Sequence, residues 1–263
     1  MDKIREMAKV KSQEMLSPGI YSMWIETGFS KEAIPGQFVS IYTKNASKLL
    51  PRPISICEVD EKKSAIRIVY RLAGEGTREF SAYKAGDEID ILGPLGNGYE
   101  LEKIKECGNK EGKSLLIGGG IGIPPMLELA KRLSGAVTIV AGYRSDKDLF
   151  LTDELSAAGE LIIASDDGSV GIKGTVIDAI KEKELSADVI FACGPKPMLK
   201  GVKELSDEMG VPAYISMEER MACGVGACLG CVCKSAHKDD HSQVNNKRVC
   251  VDGPVFPASE VEL

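Results

Sequence analysis

Residues 114–125 read Ser-Leu-Leu-Ile-Gly-Gly-Gly-Ile-Gly-Ile-Pro-Pro. A buried strand runs into a glycine-rich turn, and a helix follows that is opened by proline, which is favoured at the first helical position. Such a turn presents backbone N–H groups at the positive end of a helix, where a pyrophosphate binds readily. An ordinary tight strand–helix turn is the alternative. The candidate nucleotide-binding residues are Gly118, Gly119, Gly120 and Gly122.

The chain around this turn alternates between strands and helices. Compact apolar strands are predicted at Ser114–Ile117, Val137–Ala141, Leu161–Ala164 and Val189–Ala192, with a last strand at Val211–Ser216. Helices are predicted between them at Pro125–Leu133, Asp153–Ala158, Thr175–Lys183 and Pro197–Met209. Strands that alternate with helices indicate βαβ units and a parallel sheet.

The first hundred residues follow a different pattern, without predicted helices. Short runs of β-branched and aromatic residues, separated by Gly- and Pro-rich turns, predict strands at Ile20–Ile25, Gln37–Tyr42, Ile54–Val59, Ala65–Tyr70 and Glu88–Leu92. Even spacing of short strands predicts an antiparallel barrel. The expected division is therefore a β-barrel at 1–108, a nucleotide-binding α/β domain at 109–216 and a small C-terminal module at 217–263.

The C-terminal module carries four cysteines in a characteristic spacing. Cys223, Cys228 and Cys231 form C-x4-C-x2-C, and Cys250 follows Cys231 after eighteen intervening residues. This spacing is typical of a plant-type [2Fe–2S] cluster. A zinc site is the main alternative, although zinc sites usually pair their ligands as C-x2-C. Cys233 is a fifth thiol on the same face of a predicted strand, and the spacing leaves its role open.

Composition narrows the class of protein. The chain has 263 residues, 43% hydrophobic, and a net charge of −6 without basic clusters, which argues against nucleic acid as a partner. Its charged N-terminus is no signal peptide, and the longest apolar stretch, 115–127, is too short for a membrane span. A cytoplasmic protein without membrane contact is expected. Eight cysteines in such a protein then indicate metal or redox use. Cys57 and Cys107 are expected to be buried thiols, and His237 and His241 to lie in a solvated loop.

Three further segments have the chemistry of cofactor binding. The first is Arg52-Pro53-Ile54-Ser55, where arginine offers a bidentate donor at a strand start. The second is Val69-Tyr70-Arg71, followed by a glycine loop that ends in Gly76-Thr77. The third is Cys193-Gly194-Pro195 at the carboxyl end of a strand, where open α/β sheets bind ligands. Surface ion pairs and an ordinary βα loop are the alternatives for each segment taken alone.

Together these motifs resemble the ferredoxin–NADP reductase superfamily. The run Met217–Cys233 and the segment Val249–Phe256 narrow the resemblance to the electron-transfer subunits of class 1B dihydroorotate dehydrogenases, over essentially the whole chain. The resemblance implies that FAD is bound by Arg52, Pro53, Ile54, Ser55, Val69, Tyr70, Arg71, Gly76 and Thr77. It implies that the cluster is held by Cys223, Cys228, Cys231 and Cys250, and NAD by the glycine turn with Cys193, Gly194 and Pro195.

The resemblance also implies a function and a partner. Electrons would run from the FMN of a catalytic subunit, which oxidises dihydroorotate, through [2Fe–2S] and FAD to NAD⁺, in a heterotetramer of two copies of each chain. No catalytic residue is expected in this chain, because the cofactors supply the chemistry. A flavin and iron–sulfur subunit of another complex, of the sulfide dehydrogenase or transhydrogenase type, is one alternative, and a zinc-stabilised binding module is another. The sequence leaves NAD against NADP open, with Asp166-Asp167 either at an adenosine ribose or in an exposed turn.

Overall fold

The computed structural model describes residues 3–102, 112–238 and 243–263. In the first of these ranges, six antiparallel strands close into a barrel in the order β1-β2-β5-β4-β3-β6. The strands are β1 (Ile4–Ser17), β2 (Ile20–Glu26), β3 (Phe38–Tyr42), β4 (Arg52–Asp60), β5 (Ala65–Arg71) and β6 (Glu88–Leu95), and helix α1 (Glu75–Phe80) follows β5. The predicted barrel is confirmed.

Strand β1 is not among the predicted strands, although it is the longest in the barrel. It pairs with β2 on one side and β6 on the other, so it closes the barrel. Only a few of its side chains face the core, among them Ala8 and Val10, and charged residues such as Lys9 occupy the outer face. The strand therefore looks polar in sequence, because one of its two faces is solvated.

The middle of the chain forms the expected α/β layer. Within the described residues its sheet has seven strands in the order β10-β9-β8-β7-β11-β12-β15, where β15 is Val255–Pro257, and all neighbouring strands run parallel except β12 and β15. The elements are β7 (Lys113–Gly119), α2 (Pro124–Arg132), β8 (Ala136–Tyr143), α3 (Thr152–Ala158), β9 (Glu160–Ser165), β10 (Ile172–Lys173), α4 (Val176–Glu182), β11 (Val189–Cys193), α5 (Lys196–Met209) and β12 (Ala213–Ser216).

The cysteine-containing segment is joined to both larger units. It contains β13 (Val232–Lys234) paired with β14 (Asn246–Arg248), and β15 (Val255–Pro257), which pairs antiparallel with β12. A bridge between Asn97 and Pro254 links it to the barrel. The division at 216/217 stays a prediction, and the predicted boundary at 108/109, Cys107 and His241 lie outside the described residues.

A polar network fixes the barrel against the α/β layer on one side. Arg67 of β5 is only 5% exposed, and its guanidinium lies 3.4 Å from Glu58 and 3.3 Å from Glu154 of α3. The buried carboxylate of Glu128 accepts a hydrogen bond from the Val59 N–H at 3.0 Å. The network therefore links the two units, because Glu154 belongs to α3 and Glu128 to α2.

Candidate functional site

Four of the five cysteines in the C-terminal segment form two pairs. The side chain of Cys228 hydrogen-bonds to that of Cys223, and the side chain of Cys231 hydrogen-bonds to that of Cys250. Cys250 is also close enough to Cys223 for the charge of Cys223 to raise its pKa, so the two pairs are neighbours. In the described part of the chain no three His, Cys, Asp or Glu side chains surround one point. Two thiolate pairs are the donor set that two iron atoms require.

Backbone N–H groups point at the sulfur atoms of this set. Cys223 Sγ accepts hydrogen bonds from Val225 at 3.4 Å and from Ala227 at 3.3 Å. Cys228 Sγ accepts one from Gly230 at 3.4 Å, and Cys231 Sγ accepts one from Cys250 at 3.4 Å. Such bonds stabilise negative charge on sulfur and tune a cluster's reduction potential.

The low pKa of Cys223, the first of the four thiols, suits a metal ligand. Burial raises the pKa of Cys223, but hydrogen bonds from the Val225 N–H, the Cys228 side chain and the Ala227 N–H outweigh burial and lower the pKa to about 6. Burial and the hydrogen bond with Cys231 raise the pKa of Cys250 to about 12. A metal ligand must be deprotonated, so the loop has one thiolate ready near neutral pH.

The position of Cys233 differs from that of the four paired thiols. Its side chain is buried, on the same face of the strand as Cys231. Burial raises its pKa, and its charged neighbours are Glu219, which raises the pKa further, and Lys196. Cys233 therefore lies near Glu219 and Lys196 as well as near Cys231, whereas Cys231 also accepts a hydrogen bond from the Cys250 N–H.

The predicted flavin strand borders the cysteine loop. Arg52, Pro53, Ile54 and Ser55 lie at the start of β4, half-buried, and pair with β3. A Cβ placed on Gly224 in the cysteine loop would lie 2.8 Å from Ser40 Oγ of β3, so the loop packs directly against this strand. A cavity of about 540 Å³ lies where Arg52 and Pro53 face residues 219–221.

Arg52 also lies against Gly76, in the glycine loop that follows β5. Its guanidinium carbon would lie 2.8 Å from a Cβ on Gly76, so the missing side chain at Gly76 lets the guanidinium lie against this turn. The Thr77 hydroxyl accepts from the Ala73 N–H at 2.9 Å and donates to the Gly74 carbonyl at 3.1 Å. Thr77 thus stabilises the turn, and an anion would meet the Arg52 guanidinium and backbone N–H groups of the first helical turn. A guanidinium beside a glycine cradle fits the pyrophosphate of FAD.

The structure differs from the prediction for one flavin residue. Tyr70 is among the residues expected to bind FAD, but it is only 1% exposed and its side chain lies inside the barrel. Its hydroxyl donates to Gln13 Oε1 at 2.8 Å, and its ring stacks on Tyr21. Period-two alternation along β5 turns this side chain to the core, as it does for Ile68.

We expect Arg52→Ala to lower the affinity for FAD by about 10- to 100-fold, because a hydrogen-bonded charge pair contributes about 1.5–3 kcal/mol. The fluorescence of flavin released on dilution measures this affinity. Arg78→Ala is the control, since Arg78 is an exposed arginine of helix α1, which also contains Gly76. Equal flavin retention in the two variants would contradict the assignment of Arg52.

The predicted nicotinamide residues surround a second, larger cleft. Its volume is about 770 Å³, and it lies at the carboxyl ends of the parallel strands. Of the predicted residues, Gly119, Gly120, Gly194 and Pro195 line it. The two turns touch each other, since a Cβ on Gly194 would lie 3.3 Å from the Gly119 backbone nitrogen. A cleft of this size, walled by glycine backbone, fits a dinucleotide.

Three predicted residues lie behind the wall of this cleft. Gly118 and Gly122 allow close packing, since a Cβ on Gly118 would lie 2.9 Å from the Ile123 Cα, and one on Gly122 would lie 2.7 Å from the Gly194 nitrogen. The Cys193 thiol is 1% exposed, and burial, followed by the charge of Glu218, raises its pKa far above the usual range. A neutral buried thiol supports the floor of the cleft.

Two charged residues connect this cleft with the other sites. Arg71, assigned to flavin on the sequence alone, lines the nicotinamide cleft, with its guanidinium 3.2 Å from where a Gly120 Cβ would lie. Glu218, which directly follows Met217 after β12, lines the same cleft. Burial raises the pKa of the Glu218 carboxyl, and the charge of Arg71 lowers it by less. The pKa of Glu218 is therefore above the ordinary value of glutamate. Sequence reasoning missed Glu218 because nothing in its spacing marks it.

The carboxyl of Glu218 should make stability depend on pH. An acid whose pKa rises on folding binds more protons in the folded state, so its contribution to stability falls as pH rises above the ordinary range of glutamate. We expect Glu218→Gln to flatten this fall, measured as the urea midpoint against pH. Glu219→Gln, one residue on and in an ion pair with Lys196, is the comparison. An identical pH profile for Glu218→Gln and the parent protein would contradict the assignment.

Comparison with protein families agrees with this arrangement. The model for the iron–sulfur cluster binding domain of dihydroorotate dehydrogenase B matches residues 218–262, and the oxidoreductase NAD-binding domain matches residues 116–204. In the described residues no helix is long and apolar enough to cross a membrane.

Comparison with individual proteins extends over the whole chain. The dihydroorotate dehydrogenase B (NAD(+)) electron transfer subunit of Fusobacterium nucleatum is 44% identical, over 98% of both chains. The subunit of the same description from Geobacillus thermodenitrificans is 44% identical, over 98% of this chain and 99% of its own. A chain in the solved structure of an NADH-dependent reduced ferredoxin-NADP oxidoreductase, studied for flavin-based electron bifurcation, has a TM-score of 0.84 and 32% identity. The match covers 98% of this chain and 90% of that chain. A ferredoxin reductase of carbazole 1,9a-dioxygenase shares the fold, with a TM-score of 0.68 and 19% identity over 82% and 69% of the two chains.

Proposed function

Because this chain belongs to the family of dihydroorotate dehydrogenase B electron transfer subunits, we propose that it carries electrons from the FMN of a catalytic partner subunit to NAD⁺ while that partner oxidises dihydroorotate to orotate. The chain is an oxidoreductase subunit whose cofactors are FAD, a [2Fe–2S] cluster and NAD. When bound, FAD exchanges a hydride with the nicotinamide and single electrons with the cluster.

One observation carries the proposal, namely that the three candidate sites are contiguous. Strand β3 touches the cysteine loop at Ser40 and pairs with the flavin strand at Pro53. Arg71, at the end of the flavin barrel, touches the nicotinamide turn at Gly120. Contiguity supports a relay in which this chain's residues position each cofactor beside the next, and the fixed Arg67 network maintains that order.

The role of each protein group follows from its chemistry. We assign the pyrophosphate of FAD to Arg52 and the backbone at Gly76, with Pro53 to Ser55 beside the flavin ring. We assign the cluster to Cys223, Cys228, Cys231 and Cys250. We assign the nicotinamide cofactor to the larger cleft, which Gly119, Gly120 and Gly194 line and where the glycine turn would offer backbone N–H groups to a pyrophosphate.

The test uses the chain reconstituted with its catalytic partner. We expect dihydroorotate-dependent reduction of NAD⁺ by the complex, but not by either subunit alone. Reduction of a dye by NADH should need this chain only. We also propose a heterotetramer with two copies of each subunit, which native mass measurement tests. A complex that reduces dyes with NADH but never couples dihydroorotate to NAD⁺ would overturn the proposal.

A second candidate function comes from the full-length match to the NADH-dependent reduced ferredoxin-NADP oxidoreductase chain. In that case the partner would be a different flavoprotein, in a complex of the transhydrogenase or sulfide dehydrogenase type. The site in this chain would be the same, because the partner defines the reaction. Isolation of the native complex with an NADP-binding partner, in place of a dihydroorotate-oxidising one, would favour this candidate.

A further inference from the structure

A buried hydroxyl on the cysteine-loop side of the barrel has no hydrogen-bond partner. Ser40 lies in the middle of β3 and is only 1% exposed, and its Oγ makes no hydrogen bond to any of the described residues. A buried hydroxyl without a partner destabilises a protein, so most such groups are paired. The Ser40 hydroxyl therefore has a donor to offer to a group that binds beside it.

Alternation along β3 turns Ser40 toward the cysteine segment. Val39 and Ile41, on either side of it, belong to the apolar core of the barrel. Phe38, two residues before Ser40, belongs instead to the apolar cluster that contains Cys231 and Cys250. Residues two apart on a strand share a face, so Ser40 and Phe38 point the same way. The hydroxyl thus lies among apolar side chains where the barrel meets the cysteine segment.

The cysteine loop comes close to this hydroxyl at Gly224. A Cβ on Gly224 would lie 2.8 Å from Ser40 Oγ, and Gly224 directly follows Cys223 in the chain. The sulfur of Cys223 accepts hydrogen bonds from the N–H groups of Val225 and Ala227, which belong to the loop itself. Ser40 brings a hydroxyl donor to the same turn from the barrel.

We propose that the Ser40 hydroxyl donates a hydrogen bond to the Cys223 sulfur when the cluster is bound, and so raises the reduction potential of the cluster. Reduction adds negative charge to a cluster and its sulfur ligands, and a donor stabilises the more negative state more strongly. Ser40 also pairs with Pro53 of the flavin strand, so this donor lies between the two assigned cofactor sites. The inference rests on the proposed assignment of Cys223 as a cluster ligand.

The test is a potentiometric titration of the FAD- and cluster-loaded chain, followed by the EPR signal of the reduced cluster. Ser40→Ala removes only the hydroxyl oxygen, and the variant should fold because that oxygen has no partner in the protein. At a fixed potential we expect the ratio of reduced to oxidised cluster to fall about tenfold, which for one electron is a shift of about 59 mV to a more negative potential. The potential of FAD, read from the flavin absorbance, should stay unchanged.

Ser30→Ala is the matched control. Ser30 is another serine of the barrel half, fully buried between β2 and β3, and its hydroxyl also has no partner among the described residues. This variant should leave the potentials of both cofactors as they are in the parent protein. A second readout is proton ENDOR of the reduced cluster, in which Ser40→Ala alone should lose one coupling to a proton that exchanges in D₂O.

Three results would contradict parts of this account in different ways. An unchanged cluster potential and an unchanged ENDOR spectrum in Ser40→Ala would overturn the inference. A shift of the FAD potential alone would also overturn it, because the hydroxyl would then act on the flavin. A correctly folded parent protein that binds zinc in place of iron and sulfide would instead overturn the cluster assignment, and the inference with it.

Discussion

Replacing Cys231 by serine should abolish electron transfer to the catalytic partner while the NADH-dependent half of the protein continues to work. The thiol is 3% exposed and faces Cys250, whose N–H donates to its sulfur at 3.4 Å. Serine is a poor iron ligand, so the cluster's visible absorbance and acid-labile sulfide should be lost. Dihydroorotate-linked NAD⁺ reduction should fall by about 100-fold or more, since disturbing even supporting groups costs 10- to 100-fold.

Cys233→Ser is the matched control for this prediction. Cys233 is a buried thiol two residues away on the same strand face, but it adjoins Glu219 and Lys196. We expect this variant to keep its cluster and its coupled activity, and both variants to reduce ferricyanide with NADH within about twofold of the parent protein. If Cys233→Ser lost the cluster and Cys231→Ser kept it, Cys233 would be the ligand and Cys231 would not.

A second large effect is expected for Gly122→Ala. A Cβ at this position would lie 2.5 Å from the Cys193 carbonyl carbon and 2.7 Å from the Gly194 nitrogen. Both are backbone atoms, so the turns after β7 and β11 must move apart. We expect a loss of about 1–3 kcal/mol in the free energy of unfolding and a fall of about 100-fold in kcat/KM for NADH, because displacement by about 1 Å is costly.

The control for Gly122→Ala is Gly28→Ala, in the barrel. There the nearest atom to a new Cβ is Glu6 Oε2 at 3.7 Å, an ordinary contact. Stopped-flow reduction of the flavin by NADH measures the effect at the cleft, and reduction by dithionite reports on the flavin itself. Rapid reduction by NADH in Gly122→Ala, equal to that in Gly28→Ala, would show that the contact between the turns is dispensable.

Much of the fold was predictable because the apolar runs and turn residues of the sequence coincide with the strands, helices and turns of the structure. The strands at Ile20–Glu26 and Ala65–Arg71 and the helix at Pro124–Arg132 are close to their predicted bounds. Strand β1 was not predictable, since its solvated face hides its alternation and its partners are distant in sequence. Helix α1 has only six residues and contains Gly76, so its sequence reads as a turn.

The sites were predictable to the extent that backbone chemistry defines them. Glycine runs indicate turns that a phosphate can approach, and the turn at Gly119 does line the cleft. Side-chain direction is set by packing, which explains why Tyr70 is in the core and Arg71 faces the nicotinamide cleft. Glu218 reaches the cleft only because β12 ends beside β11, which is a property of the assembled sheet.

The pairing of β15 with β12 makes the cysteine segment an insertion between two adjacent strands of one sheet, not a tail. Both of its ends are anchored, at Ser216 and at Val255, and residues 217–254 form the loop between them. If iron were lost, the loop would therefore stay tethered at both ends. The entropic cost of closing a loop of n residues grows only as about (3/2)RT ln n. Removing the segment by truncation would do more harm, because it would strip the partner from β12 and leave an open sheet edge. Because β15 is part of the α/β sheet, we expect the segment not to fold as an independent ferredoxin would.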